Sequence, residues 1–145
     1  MKISEISSIL DRDYPMLLLD GVTMIEPNKK CSAFKNLTYN EWFFPQHFPK
    51  KPVMPGTIQV EAFSQAVALP LLITNNTSQT SNIPILLAGI DKVRFFRPVF
   101  PGSRFEIYSE VKRLDLGIAI SKVTGSIQNE IVSECIITYK MQTLK

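Results

Sequence analysis

Apolar residues at 6, 9 and 10 recur at helical spacing behind Ser4, which predicts a short N-terminal helix over 4–10, interrupted by Tyr14-Pro15. Residues 16–26 and 31–37 carry β-type apolar patterning around the turn residues Pro27, Asn28 and Lys29, so two strands are expected there. Between 40 and 56 four prolines (Pro45, Pro49, Pro52, Pro55) exclude regular helix, while Trp42, Phe43, Phe44 and Phe48 demand burial, which predicts a loop ordered by packing. Residues 57–72 are apolar nearly all round, with Glu61 the one charge, as in a helix buried on most sides whose last turn Pro70 ends or kinks. The stretch 75–82, NNTSQTSN, has no apolar residue and is expected to be a mobile surface loop. Four further strands are predicted at about 84–97, 103–114, 118–128 and 131–142, divided by short turn sequences. Phe105, Ile107, Ser109 and Val111 alternate along the second of these, as on a half-covered sheet.

Connections this short favour antiparallel pairing, because parallel neighbours need crossovers of about a dozen residues or more. The expected class is therefore α+β: a curved antiparallel sheet of about six strands wrapped around one long central helix, in a single domain spanning 1–145. A hydrophobic share of 45% with 20% charged residues describes an ordinary globule and excludes disordered or collagenous chains. No apolar run approaches the roughly 18 residues of a membrane span, and the N-terminus does not resemble a secretory signal, so the expected compartment is the cytoplasm. Cys31 and Cys135 are read as buried thiols. A single histidine rules out metal sites built on two or more imidazoles, and no metal site is expected. The net charge of +3 is too weak for a nucleic-acid partner but suits an acidic one.

Candidate chemistry gathers within fifteen or so residues. His47 is the side chain that titrates nearest neutrality, as a general base requires. Glu61 stands alone on an apolar helix, where burial favours the protonated form and suits a general acid. Gly56, at the start of that helix, exposes a backbone N–H with no intrahelical acceptor, and its missing Cβ lets a carbonyl oxygen approach. Gln65 follows Glu61 by one helical turn and shares its face, where it can orient the carboxyl group.

The run NEWFFPQHFPKKPVMPGTIQVEAFSQ, residues 40–65, resembles the signature of FabZ-type 3-hydroxyacyl-[acyl-carrier-protein] dehydratases. His-Phe-Pro, Pro-x-Met-Pro-Gly and Glu-Ala-x-x-Gln stand at the family's spacing, with fourteen positions from His47 to Glu61. The segments 14–20 and 88–102 are similar to flanking parts of the same family. The resemblance implies the hotdog fold and dehydration of a (3R)-3-hydroxyacyl thioester to the trans-2-enoyl thioester, with His47 as base, Glu61 as acid and no cofactor. It further implies acyl carrier protein with its phosphopantetheine-linked acyl chain as the partner, in fatty acid biosynthesis. A homodimer is implied too, possibly assembled as a hexamer of three dimers, each site taking its His from one subunit and its Glu from the other.

The chain departs from the family pattern at several positions. Arg12-Asp13 stands where His-Arg is usual, Gln46 and Lys50 replace glycines flanking His-Phe-Pro, Ser103 replaces an Asp, and Leu86 falls near the position of a gating aromatic. These changes point to an altered chain-length preference or a specialised paralogue. Phe43, Phe44, Met54, Phe63, Phe95 and Phe96 fit either an acyl tunnel or a core. Lys50, Lys51, Lys92, Arg94, Arg97 and Arg104 are candidates for docking an acidic carrier. Two alternatives compete with dehydration: a hotdog acyl-thioesterase, which His-Phe-Pro disfavours, and a non-catalytic subunit that binds acyl carriers.

Overall fold

In a computed structural model of the chain, which describes residues 1–73 and 84–141, the elements run α1 (Ile3–Leu10), β1 (Gly21–Glu26), β2 (Lys30–Asn36), α2 (Gly56–Leu72), β3 (Ile85–Phe95), β4 (Arg104–Asp115), β5 (Ile118–Ile127) and β6 (Glu130–Met141). The polar stretch 75–82 lies outside the described residues. The six strands form one sheet in the order β1-β2-β4-β5-β6-β3, every neighbouring pair antiparallel. The fold is the expected α+β hotdog: the sheet curls around α2, whose Ala62, Phe63, Ala66, Val67 and Leu69 are buried against it.

Small side chains on α2 let the sheet approach, and large ones fill what remains. Phe63 packs on Phe105 of β4 with ring centroids 5.8 Å apart. Gly125 of β5 passes directly over that pair, where a Cβ would stand 2.4 Å from the Phe105 ring. Each large side chain buried this way stabilises the fold by roughly 1.5–3 kcal/mol relative to exposure.

Four local expectations need correction. The helix α1 begins at Ile3, and Ser4 does not cap it; the Glu5 carboxylate instead accepts from the Lys2 N–H at 2.6 Å. The same helix stops at Leu10, before Tyr14-Pro15, on the left-handed Asp11 (φ 50°). Residues 16–20 are not strand, because the Leu18 N–H donates to Gln65 Oε1 (3.0 Å) rather than to a neighbouring strand. Pro70 neither ends α2 nor leaves a hole in it. The helix continues to Leu72, and the Ala66 carbonyl, which lacks a proline N–H to accept from, accepts from Ser109 Oγ of β4 at 2.9 Å.

One edge of the sheet is β3, an eleven-residue strand with Leu86, Leu87, Ile90, Val93 and Phe95 exposed. It pairs with β6 through two irregularities, between Leu87 and Gly89 and between Asp91 and Arg94. A long apolar edge is a template for pairing with another chain.

Candidate active site

The segment between β2 and α2 is irregular, as its prolines require, and it is pinned at both ends. Leu37 N–H donates to the Ser103 carbonyl (2.9 Å), and Met54 N–H donates to the Val99 carbonyl (2.8 Å). Phe43 and Phe44 anchor its middle in the core, packed edge to face at 4.8 Å. Beneath it lies a charged group that the sequence reading missed: Lys35, 4% exposed, binds Glu41 at 2.9 Å and Asp20 at 3.5 Å. The signal was available, since Cys31, Ala33 and Lys35 alternate along β2 and so point to one buried face. A buried ammonium is tolerated only with partners of this kind, so Lys35 ties the start of the segment, through Glu41, to β2 and to Asp20 just before β1.

His47 is held at the centre of this segment. Its N–H donates to the Phe44 carbonyl, its carbonyl accepts from Val53 N–H at 2.8 Å, and its Nδ1 lies 3.0 Å from the Val53 carbonyl oxygen. A carbonyl can only accept, so Nδ1 carries the hydrogen and Nε2 of the neutral ring presents its lone pair. The His47–Phe48 peptide is cis, and the two rings stack at 4.2 Å. Neither Gln46 nor Lys50 has a positive φ, so the backbone at these two positions has no need of glycine.

His47 and Gly56 line one cavity of about 560 Å³, together with Met54, Thr57, Phe95 and Arg97 among others. Gly56 is the first residue of α2, and its N–H has no acceptor among the described residues, which leaves the positive end of the helix dipole turned outward. A Cβ at Gly56 would stand 2.6 Å from the Phe95 ring, so glycine is what allows that ring to lie across the helix start. Gln59, buried in the same wall, also escaped the sequence reading.

Glu61 lines a second cavity, of about 400 Å³, with Val60, Ser64, Leu87, Ile90 and Val93. His47 and Glu61 therefore line different cavities, and Thr57 and Phe95 border both. Gln65 Nε2 donates to Glu61 Oε1 at 3.0 Å and to the Met16 carbonyl at 2.7 Å, while Gln65 Oε1 accepts from Leu18. This carboxamide is 2% exposed and fully used, so it holds one carboxylate oxygen of Glu61 in place. Nearby, burial pushes the Tyr139 phenol above its ordinary value, partly offset by its hydrogen bond to the Ser64 carbonyl at 3.1 Å, so this side chain stays a neutral donor.

The other candidates divide. Phe43, Phe44 and Phe63 are core, Met54 is buried at the wall of the His47 cavity, and Phe95 and Phe96 line it half-exposed. Leu86 lines neither cavity; its neighbour Leu87 lines that of Glu61. Arg97 is at the His47 cavity and pairs with Glu130 at 2.6 Å. Arg104 belongs elsewhere: it lies over the Phe34 ring at 3.8 Å and pairs with Glu106. Among the described residues no group of three or more His, Cys, Asp or Glu could hold a metal ion.

Comparison with known proteins extends this geometry. A FabA-like domain matches residues 10–136. A protein from Halorhodospira halophila named 3-hydroxyacyl-[acyl-carrier-protein] dehydratase FabZ is 39% identical over 142 residues, covering 98% of this chain and 93% of the relative. A protein of the same name from Nitrosospira multiformis is 41% identical over 144 residues, covering 97% and 99%. Among solved structures, the dehydratase heterocomplex ApeI:P from Xenorhabdus doucetiae superposes with a TM-score of 0.75 at 15% identity, covering 95% of this chain and 91% of that one. An uncharacterised protein from Pyrococcus horikoshii does so with a TM-score of 0.70 at 14% identity, covering 90% and 88%. At such identities the structural likeness speaks for the fold alone.

Proposed function

This chain belongs to the FabA-like family, and from that membership we propose that it is a hydro-lyase removing water from a 3-hydroxyacyl thioester held on acyl carrier protein, in fatty acid biosynthesis. The carrying observation is His47, whose Nδ1 is committed to the Val53 carbonyl, which leaves Nε2 to act as the base in a ring that lines the same cavity as Gly56.

In this reading the (3R)-3-hydroxyacyl chain binds with its thioester oxygen at the Gly56 N–H. His47 Nε2 takes the C2 proton, and the charge moving onto the carbonyl oxygen meets the N–H and the helix end. Glu61 gives its proton to the C3 oxygen, the C3–O bond breaks, and water and the trans-2-enoyl thioester result. A proton passing from the imidazolium to the Glu61 carboxylate through solvent restores both groups, so the balance closes without a cofactor.

The active unit is a homodimer, with the hexamer of three dimers as its larger form. Support comes from the exposed apolar edge β3 and from the separation of His47 and Glu61 into two cavities, since a site needing both can draw one from each subunit. Lys50, Lys51 and Arg97 are the cations suited to the acidic carrier, and the cytoplasm is the compartment proposed.

The test is incubation of a 3-hydroxyacyl carrier with the protein, followed by mass spectrometry. Loss of water is expected, falling at least a hundredfold in His47→Ala and in Glu61→Gln proteins that remain folded. Release of free acid, or unchanged rates in both variants, would overturn the proposal.

A further inference from the structure

We propose that Lys35 is a positioning residue for His47, acting through Glu41, an inference that rests on the site reading above. Between β2 and α2 no strand or helix fixes the chain, and His47 ends a run of backbone turns. Glu41 N–H donates to the Thr38 carbonyl, Phe44 N–H to the Glu41 carbonyl and His47 N–H to the Phe44 carbonyl, each at 3.2 Å. The run is tied to the sheet at its first turn, where the Glu41 carboxylate receives the Lys35 ammonium at 2.9 Å. Lys35 belongs to β2 and is 4% exposed. It also lies 3.5 Å from Asp20 Oδ2, which accepts from Asn36 N–H at 2.7 Å, while Asp20 N–H donates to the Phe34 carbonyl. The ammonium thus bridges a carboxylate seated on the sheet and one that belongs to the segment of the base.

Stability alone does not call for this cluster. A buried ion group is often matched or exceeded by apolar side chains of similar volume, because desolvation offsets the attraction. What charge supplies and apolar packing does not is direction: Phe43 and Phe44 hold the segment in the core, and Lys35 holds the Glu41 turn against β2. A recess of about 280 Å³, lined by Asp13, Tyr14 and Trp42 among others, adjoins Asp20, Lys35 and Glu41. Take the ammonium away, and the Asp20 and Glu41 carboxylates share no cation; repulsion and hydration then draw Glu41 toward that recess. The turns 41–44 and 44–47 would follow, and with them the imidazole whose Nδ1 must reach the Val53 carbonyl 3.0 Å away.

His47 is the chain's one histidine, so ring-nitrogen NMR of protein carrying isotope-labelled histidine reads this imidazole alone. With the ring titrated to its neutral form, the unsubstituted protein is expected to hold the Nδ1–H tautomer. In Lys35→Met the share of that tautomer should fall to about half or less, because the tautomer follows the hydrogen bond that fixes it. Dehydration of a 3-hydroxyoctanoyl N-acetylcysteamine thioester should lose about tenfold in kcat with KM little changed. Glu41→Ala, which cuts the tie to the segment and leaves Lys35 its Asp20 partner, should do the same, and it carries the test should Lys35→Met fail to fold. Ser109→Ala, which loses a buried hydrogen bond elsewhere in the core, should keep both the tautomer and kcat. A folded Lys35→Met or Glu41→Ala protein with the tautomer unchanged overturns the inference, whatever its kcat, and so does a mixture of tautomers before any substitution. Failure of the base assignment reads differently: the tautomer would shift in the variants while turnover stayed the same.

Discussion

Val53 decides what His47 can do. By accepting from Nδ1 it makes one nitrogen the donor and leaves the other its lone pair, as the proposed base needs, and it does so through backbone, which no side-chain substitution at Val53 removes. Gln65 plays a comparable part for Glu61, joining its carboxylate to the backbone of residues 16 and 18. The two thiols have a different fate. Burial pushes Cys31 and Cys135 up to about 12 from an ordinary 9.0; the Glu134 charge adds to this at Cys135, and the terminal ammonium opposes it at Cys31. A group raised on folding contributes stability that is intact below the unfolded value and is lost as pH climbs toward the folded one. Denaturant titrations should therefore show stability declining between pH 9 and 12, with a shallower decline in a Cys31→Ala, Cys135→Ala protein. Thiol reagents should leave the native protein unlabelled at pH 8; rapid labelling there would contradict the burial.

At the scale of elements, α2 does two jobs with opposite demands. Its C-terminal half must pack on all sides, which the Pro70 and Ser109 arrangement permits by supplying Ala66 with a donor from β4. Ser109→Ala should leave that carbonyl unsatisfied and lower stability by about 1–2 kcal/mol, measured by urea unfolding, with catalysis unchanged. Its N-terminal turn, in the function proposed, must stay open to a ligand. Gly56→Ala would drive a methyl group into the half-exposed Phe95 ring, which can swing away, so folding should change little. Because that ring borders both cavities, turnover should fall by about tenfold or more; an active Gly56→Ala enzyme would argue against a ligand at the helix start.

Much of α2 was legible in the sequence because a long, nearly uncharged run has one reading, and the hairpins from β4 to β6 were legible through their turn residues. The start of β1 was not: the apolar run at 16–19 looks like strand, and only a glutamine forty-seven positions away reveals otherwise. Lys35 was overlooked although strand alternation pointed it inward, and Gln59 was hidden among core-facing neighbours.

For the whole molecule, the sheet order leaves β3 at an edge beside the cavity that Glu61 lines, so the surface proposed to meet a second chain adjoins the proposed acid. Chain order alone would not have disclosed this, because β3 pairs with the last strand, β6, and the pairing is set by how the sheet closes over α2. Spacing brought His47 and Glu61 to attention as a pair; the structure adds that they line different cavities, both bordered by Phe95 and Thr57. Mixing two inactive proteins tests that arrangement most directly. His47→Ala and Glu61→Gln subunits, exchanged and reassembled, should recover about a quarter of the original dehydration rate, because half of the dimers formed are mixed and each of those has one intact site of two. Recovery of no activity from verified mixed dimers would contradict a site shared between subunits.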